Sequence, residues 1–204
     1  MSNKGLKSYT SNLDFNLGGI TGHVNLFKAD ANLILQIPIL NTAGFSTINL
    51  SLIYNKQNFR KSSYFGNGFQ LNYFNKLIYN DSSITLENSD GSSDVYTKDD
   101  SKYILADSDL SIEKNILYND EEGSSETTYS VLDPLKNCLM FSEDYPLYFP
   151  KEIFMKNGEN LTLSETDSYF LIDNNNNNTV YLYKTYDKVT SIVWKNGSTE
   201  VMNA

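Results

Sequence analysis

Histidine, cysteine, arginine and tryptophan each occur once in this 204-residue chain, as His23, Cys138, Arg60 and Trp194. Each scarcity closes off a class of chemistry. Nucleophilic triads, zinc sites and imidazole general bases need histidine or cysteine in combination, and one of each is too few. A lone cysteine makes no internal disulfide. In the apolar run Cys138-Leu139-Met140-Phe141 it is expected as a small buried hydrophobe. His23, beside Gly22, is expected to be structural or solvent-facing. With 16 Lys and Arg against 25 Asp and Glu, the formal charge is -9 and the pI about 4.6. A phosphate-binding surface needs clustered cations, so nucleic acid is not an expected partner. No run approaches the roughly 18 apolar residues of a membrane span, and the basic start Met1-Ser2-Asn3-Lys4 has no apolar stretch behind it. Neither a membrane span nor a secretory leader is expected. The chain is then cytoplasmic before a signal-independent export, or secreted or surface-bound within a larger protein.

What the chain has in abundance is Tyr (15) and Phe (11), residues that suit pleated, half-buried surfaces. Apolar positions recur at period two through most of the length, which predicts an all-β fold of antiparallel hairpins in a curved sheet or sandwich. Residues 1–22, ending in Gly18-Gly19-Ile20-Thr21-Gly22, read as a flexible lead-in with one short strand near 14–17. Val24 and Leu26, then Leu33, Leu35 and Ile37, outline a hairpin whose end is limited by Pro38. Ile48, Leu50, Leu52 and Tyr54 mark the inner face of the clearest strand, and Phe69, Leu71, Tyr73, Leu77 and Tyr79 a further continuous run. Shorter strands follow near 83–86, 93–98, 102–105, 116–118, 127–132, 138–142, 151–156, 161–165, 168–172, 179–184, 189–194 and 200–202. Asp90-Gly91, Glu122-Gly123, Asn157-Gly158 and Asn196-Gly197 are dipeptides suited to two-residue hairpin turns. Spacing over 110–117 fits a helical turn as well as a strand. The acidic, serine-rich segment 119–126 is expected as an exposed loop dividing a first hairpin half, 23–118, from a second, 127–204.

Three constellations could carry chemistry. Asp173, Asn175 and Asn177 match the alternating oxygen ligands that open a calcium loop, but Asn178 stands where its glycine belongs and Lys184 where its closing glutamate does. A wide Asn-rich hairpin loop is the plainer account. Tyr145, Tyr148 and Phe149, with Tyr64 and Phe65, could form an aromatic platform for sugars, although residues this abundant more often fill a core. Paired carboxylates could hydrolyse glycosides without histidine, yet no spacing singles out a pair. Gly66-Asn67-Gly68 lies between strand-like segments, so it is turn chemistry and not a phosphate loop. No catalytic residue and no cofactor is expected.

One ordered set of segments stands out: His23-Val24-Asn25-Leu26-Phe27, Asn32 to Pro38, Ile48-Asn49-Leu50-Ser51-Leu52-Ile53-Tyr54-Asn55, and Gly66-Asn67-Gly68-Phe69-Gln70-Leu71-Asn72-Tyr73. This order resembles the opening of the Rhs/YD-repeat family, to which bacterial toxin shells and the teneurins belong. Tyr148-Phe149-Pro150-Lys151-Glu152-Ile153 with Asn157-Gly158, and Val189 to Val193 with Asn196-Gly197, are similar to that family's strand-turn-strand unit. The Tyr-Asp signature itself occurs only as Tyr186-Asp187. The resemblance implies an N-terminal piece of a β-shell, a non-catalytic scaffold that encloses or presents a cargo. Its implied partners are the rest of its own polypeptide, a toxin or effector cargo, and a delivery-apparatus protein. A carbohydrate-binding β-sandwich module is the alternative function.

Overall fold

The computed structural model describes residues 12–18, 20–25, 32–42, 48–58, 63–80, 82–119, 124–132, 137–143 and 149–203. Its strands form two antiparallel sheets. The first holds β1 (Asn12–Leu17), β2 (Ile20–Asn25), β3 (Asn32–Asn41), β4 (Asn49–Asn55) and β5 (Phe69–Leu71), in chain order. The second has thirteen strands, also in chain order. It opens with β6 (Lys76–Asn80), β7 (Ser83–Glu87), β8 (Ser93–Asp99), β9 (Lys102–Leu105), β10 (Ser111–Asn119) and β11 (Ser124–Leu132). It continues with β12 (Cys138–Ser142), β13 (Glu152–Phe154), β14 (Asn160–Glu165), β15 (Tyr169–Asp173), β16 (Asn178–Thr185), β17 (Lys188–Asn196) and β18 (Thr199–Asn203). The all-β, antiparallel expectation holds.

One side of the large sheet is a continuous apolar face, because period-two side chains stay in register from strand to strand. Leu77 opposes Leu86, Ile84 opposes Tyr96, Tyr103 opposes Ile112, and Ile112 opposes Val131. Leu139, Ile153 and Leu161 extend the row, and Leu163, Ile172 and Val180 continue it. All are buried. The sheet is strongly curled. Five strand spacings separate β6 from β11 and would hold flat strands about 24 Å apart, yet the rings of Tyr79 and Tyr129 lie 6.1 Å apart. Phe74, just ahead of β6, reaches Phe170 in β15 at 5.0 Å, where a flat sheet would put about 43 Å between those strands.

Several expectations need correction. Much of the lead-in 1–22 is strand, since β1 pairs β2 from Asn12↔Asn25 to Leu17↔Ile20; residues 1–11 lie outside the described ones. Of the segment 110–117, residues 111–117 belong to β10, with no helical turn. The supposed loop 119–126 is shorter: Asn119 pairs Ser124 and Leu117 pairs Glu126, so the large sheet runs through it without a break. The change of sheet falls instead between Leu71 and Lys76.

That break interrupts the run expected from Phe69 to Tyr79. Asn72 causes it: its Oδ1 accepts the Ser51 N–H at 3.0 Å and its Nδ2 donates to the Asn49 carbonyl at 2.9 Å. A side chain thus takes the place of the next strand residue. The Phe74 N–H then turns back to the Leu71 carbonyl.

The inner face expected for β4 is half right. Ile48 and Leu50 are buried, but Leu52 and Tyr54 are half-buried while Ile53 and Asn55 on the opposite face are covered. In β3, likewise, Ile34 is buried and Leu33, Leu35 and Ile37 only partly. A bulge at Pro38–Leu40 swings Leu40 onto the Leu50 side and leaves the proline, which has no N–H, at the irregularity.

The turn dipeptides are mostly displaced. Asp90-Gly91 and Asn157-Gly158 sit in wider loops, each closed by a glycine at positive φ. In the β17–β18 hairpin, Asn196 pairs Thr199, so the two turn residues are Gly197 and Ser198. Glu122-Gly123 lies outside the described residues. Tyr186-Asp187 is a true two-residue turn, with φ 51 and 58 and Thr185 paired to Lys188.

Candidate functional site

The two sheets meet along a seam whose halves are chemically distinct. Its apolar half is an aromatic cluster centred on Phe74, which touches Phe65 at 5.3 Å, Phe149 at 5.4 Å and Phe170 at 5.0 Å. Tyr64 sets its edge against Phe170 at 4.8 Å. The segment 63–65 is also tied to the far hairpin. The Val189 N–H donates to the Tyr64 carbonyl at 2.8 Å, and Lys188 Nζ donates to the Ser63 carbonyl. Beside the cluster, Lys184 pairs with Glu165 and lies 4.5 Å from the centre of the Phe170 ring, its side chain only 6% exposed. A cation this deep needs both a carboxylate and a ring face.

The polar half is the β7–β8 loop, 88–92, which is buried although loops normally run over the surface. A buried loop must pair its backbone groups. The Asn88 N–H bonds the Ser92 carbonyl, the Gly91 N–H bonds the Asn88 carbonyl, and Asp90 Oδ1 accepts the Ser92 N–H at 2.8 Å. Asn55 of β4 reaches across with Nδ2 donating to the Asp90 carbonyl at 2.6 Å. The Ser89 N–H donates to Asn75 Oδ1 at 3.2 Å. Gly91 has φ +81, and a Cβ there would collide with the Asn58 amide and lie 2.8 Å from Asn55 Nδ2. Between the halves opens a cleft of about 290 Å³.

The predicted site residues do not converge. Asp173 Oδ1 accepts the Asn175 N–H at 2.8 Å, a local Asx turn, and Asn175 and Asn177 are exposed turn residues at φ 56 and 69. Asn174, unnoticed in the sequence, organises this loop: it is buried, and its Oδ1 accepts the N–H groups of Asn176 and Asn178. Among the described residues no three His, Cys, Asp or Glu side chains gather as metal ligands would. The aromatic platform is corrected as well. Phe149 is 1% exposed, packed in the core, while Tyr145 and Tyr148 lie outside the described residues. A half-buried aromatic group stands elsewhere, where Tyr169, Tyr181 and Tyr183 touch on the outer face at 5.3 to 6.0 Å. Alternation in β15 and β16 was its only signal in the sequence.

Two carboxyls are held below their usual range. For Glu126 the main cause is the bond from Lys151, and for Glu143 the hydrogen bond from the Tyr129 hydroxyl, with Lys114 adding to it. The Tyr129 hydroxyl is pushed up, first by burial and then by Glu143. A glycosidase acid needs a raised pKa, and these two shifts run the other way. Cys138 is half-buried, less covered than expected, and burial raises its thiol.

Among the described residues no helix is long and apolar enough to cross a membrane. No family model matches the chain, and no curated protein matches it.

Proposed function

We propose that the chain is a non-catalytic structural β-scaffold, a shell segment of the Rhs/YD-repeat type that encloses or presents a cargo. One observation carries this reading: thirteen strands follow one another in chain order and curl until Phe74 meets Phe170. A hairpin in such a row buries its inner face only against its neighbours, the logic of a repeat array. The concave side is filled by the chain's own buried aliphatic and aromatic side chains, so this segment supplies packed wall of a shell. Among the described residues β18 pairs only β17, and it offers an edge to which further hairpins of the same polypeptide, or a cargo strand, could add. Tyr186-Asp187, the one Tyr-Asp pair, occupies a tight hairpin turn, as a repeat signature set by turn geometry would. The proposal includes delivery by a dedicated apparatus, either by signal-independent export or within a larger protein.

Amide exchange tests it. In the isolated chain, residues beyond Val189 should exchange fastest of the large sheet, well ahead of 48–54. Protection there equal to that of β4 would show a finished edge and count against an extendable array.

A further inference from the structure

The cleft at the seam has features that packing alone does not require. Asn88 is only 9% exposed, and its Nδ2 is committed to Ser92 Oγ at 3.0 Å, which leaves Oδ1 with no hydrogen-bond partner. Gln70 on β5 repeats the pattern. Its Nε2 donates to the Phe74 carbonyl at 3.2 Å, and Oε1 is buried and unpartnered. Both residues line the same cleft, one from each sheet. A buried acceptor without a donor costs stability, so two of them on residues lining one cleft mark a place where a donor is wanted, which a rotation of each amide toward the cleft would admit, since neither oxygen is open to solvent as it stands.

The surroundings restrict which donor fits. Lys76 and Glu87 on the rim are directly opposed cross-strand partners, so their charges offset. No net charge at the rim favours an anion or a cation, and carbonyl-type oxygens repel anions. The remaining walls include Tyr64, Phe69 and Phe74, apolar surfaces of the kind that pack on C–H faces. At about 290 Å³ the cleft is near the small end of ligand sites and has room for one ring-sized molecule.

We infer that the seam cleft binds a neutral, hydroxyl-rich ring, a single sugar residue, free or at the end of a glycan, whose hydroxyls donate to Asn88 Oδ1 and Gln70 Oε1. The site does not depend on the scaffold reading, since a shell segment and a free-standing module could each hold it.

The test uses the full chain, labelled with ¹⁵N and titrated with glucose, galactose and N-acetylglucosamine, alongside their oligomers and, as a cationic probe, methylguanidinium. Expected are saturable shifts of the Gln70 and Asn88 side-chain amides and of the backbone over 88–91. Gln70→Leu should weaken binding about tenfold, the loss of one bond to a buried neutral acceptor. Lys102→Ala, on an exposed position of β9 that does not line the cleft, should leave binding within about twofold. Shifts with monomers and oligomers alike show that one free ring is enough, and shifts with oligomers only point to a glycan end; either supports the site. No saturable shift with any sugar, shifts centred away from these two amides, or a response to methylguanidinium alone overturns it. Should Gln70→Leu fail to fold, the map of shifts on the unaltered chain decides.

Discussion

The seam's two halves join the same two sheets by opposite means. Around Phe74 the joint is rings against rings, non-directional and large in buried area. Around Asn55 and the 88–92 loop it is a handful of buried hydrogen bonds with fixed partners. Aromatic packing supplies the larger stabilisation, because each ring removes much apolar surface from water. The hydrogen bonds supply position: they are satisfied at one setting of the loop against β4 and at no other. Curling the sheet therefore rests on the first joint, and aligning it with its partner on the second.

Phe74→Ala offers the largest break in this comparison. It empties the centre of a cluster in which Phe74 is 2% exposed, and should cost about 3–5 kcal/mol in chemical denaturation. Asn55→Ala should cost less, about 1–3 kcal/mol, by leaving the Asp90 carbonyl and the Gln57 N–H without their bonds. The two substitutions should also differ in kind. Loss of Phe74 should loosen the approach of β15 to the start of β6, whereas loss of Asn55 should raise exchange only over 88–92. Equal and global effects from both would erase the distinction.

How much of this was legible beforehand follows the same divide. The strands of the large sheet could be read because one face is buried along its whole length, which keeps period two intact from Leu77 to Leu182. The small sheet was harder. Both faces of β4 are covered, and a bulge at Pro38 shifts the parity of β3, so alternation alone chose only some of the buried members. The break at Asn72 hid because Leu71, Tyr73 and Leu77 keep an even spacing across it. The candidate cleft was not legible at all. Gln70, Asn58 and Asn88 look like ordinary polar loop and strand residues, and only the packing of one sheet on the other brings them together.

A smaller effect comes from acid titration on the large sheet. Glu126 and Glu143 have depressed affinities for protons, so each adds stability above the ordinary carboxyl pKa, about 4.3, and loses it as pH falls through the lower folded value. Glu126→Gln with Glu143→Gln should therefore lower stability at pH 7 and flatten its decline below about pH 4.3. Their side chains are 33% and 43% exposed, and solvent screening holds each contribution below about 1 kcal/mol. An acid limb unchanged by both substitutions would mean that these pairs contribute nothing.

The smallest effect should be a gain. Tyr186 is 97% exposed with φ 51, at the first position of a turn that needs positive φ at both central residues. A tyrosine pays a steric cost there that asparagine largely avoids. Since its ring touches almost nothing, Tyr186→Asn should stabilise the hairpin by a few tenths of a kcal/mol, roughly the preference of asparagine for this conformation. A measurable loss in the same denaturation assay would show that the ring serves folding in the isolated chain. Neutrality or gain would leave the tyrosine explicable only by something that meets it from outside, as the scaffold reading requires of a residue displayed on a turn.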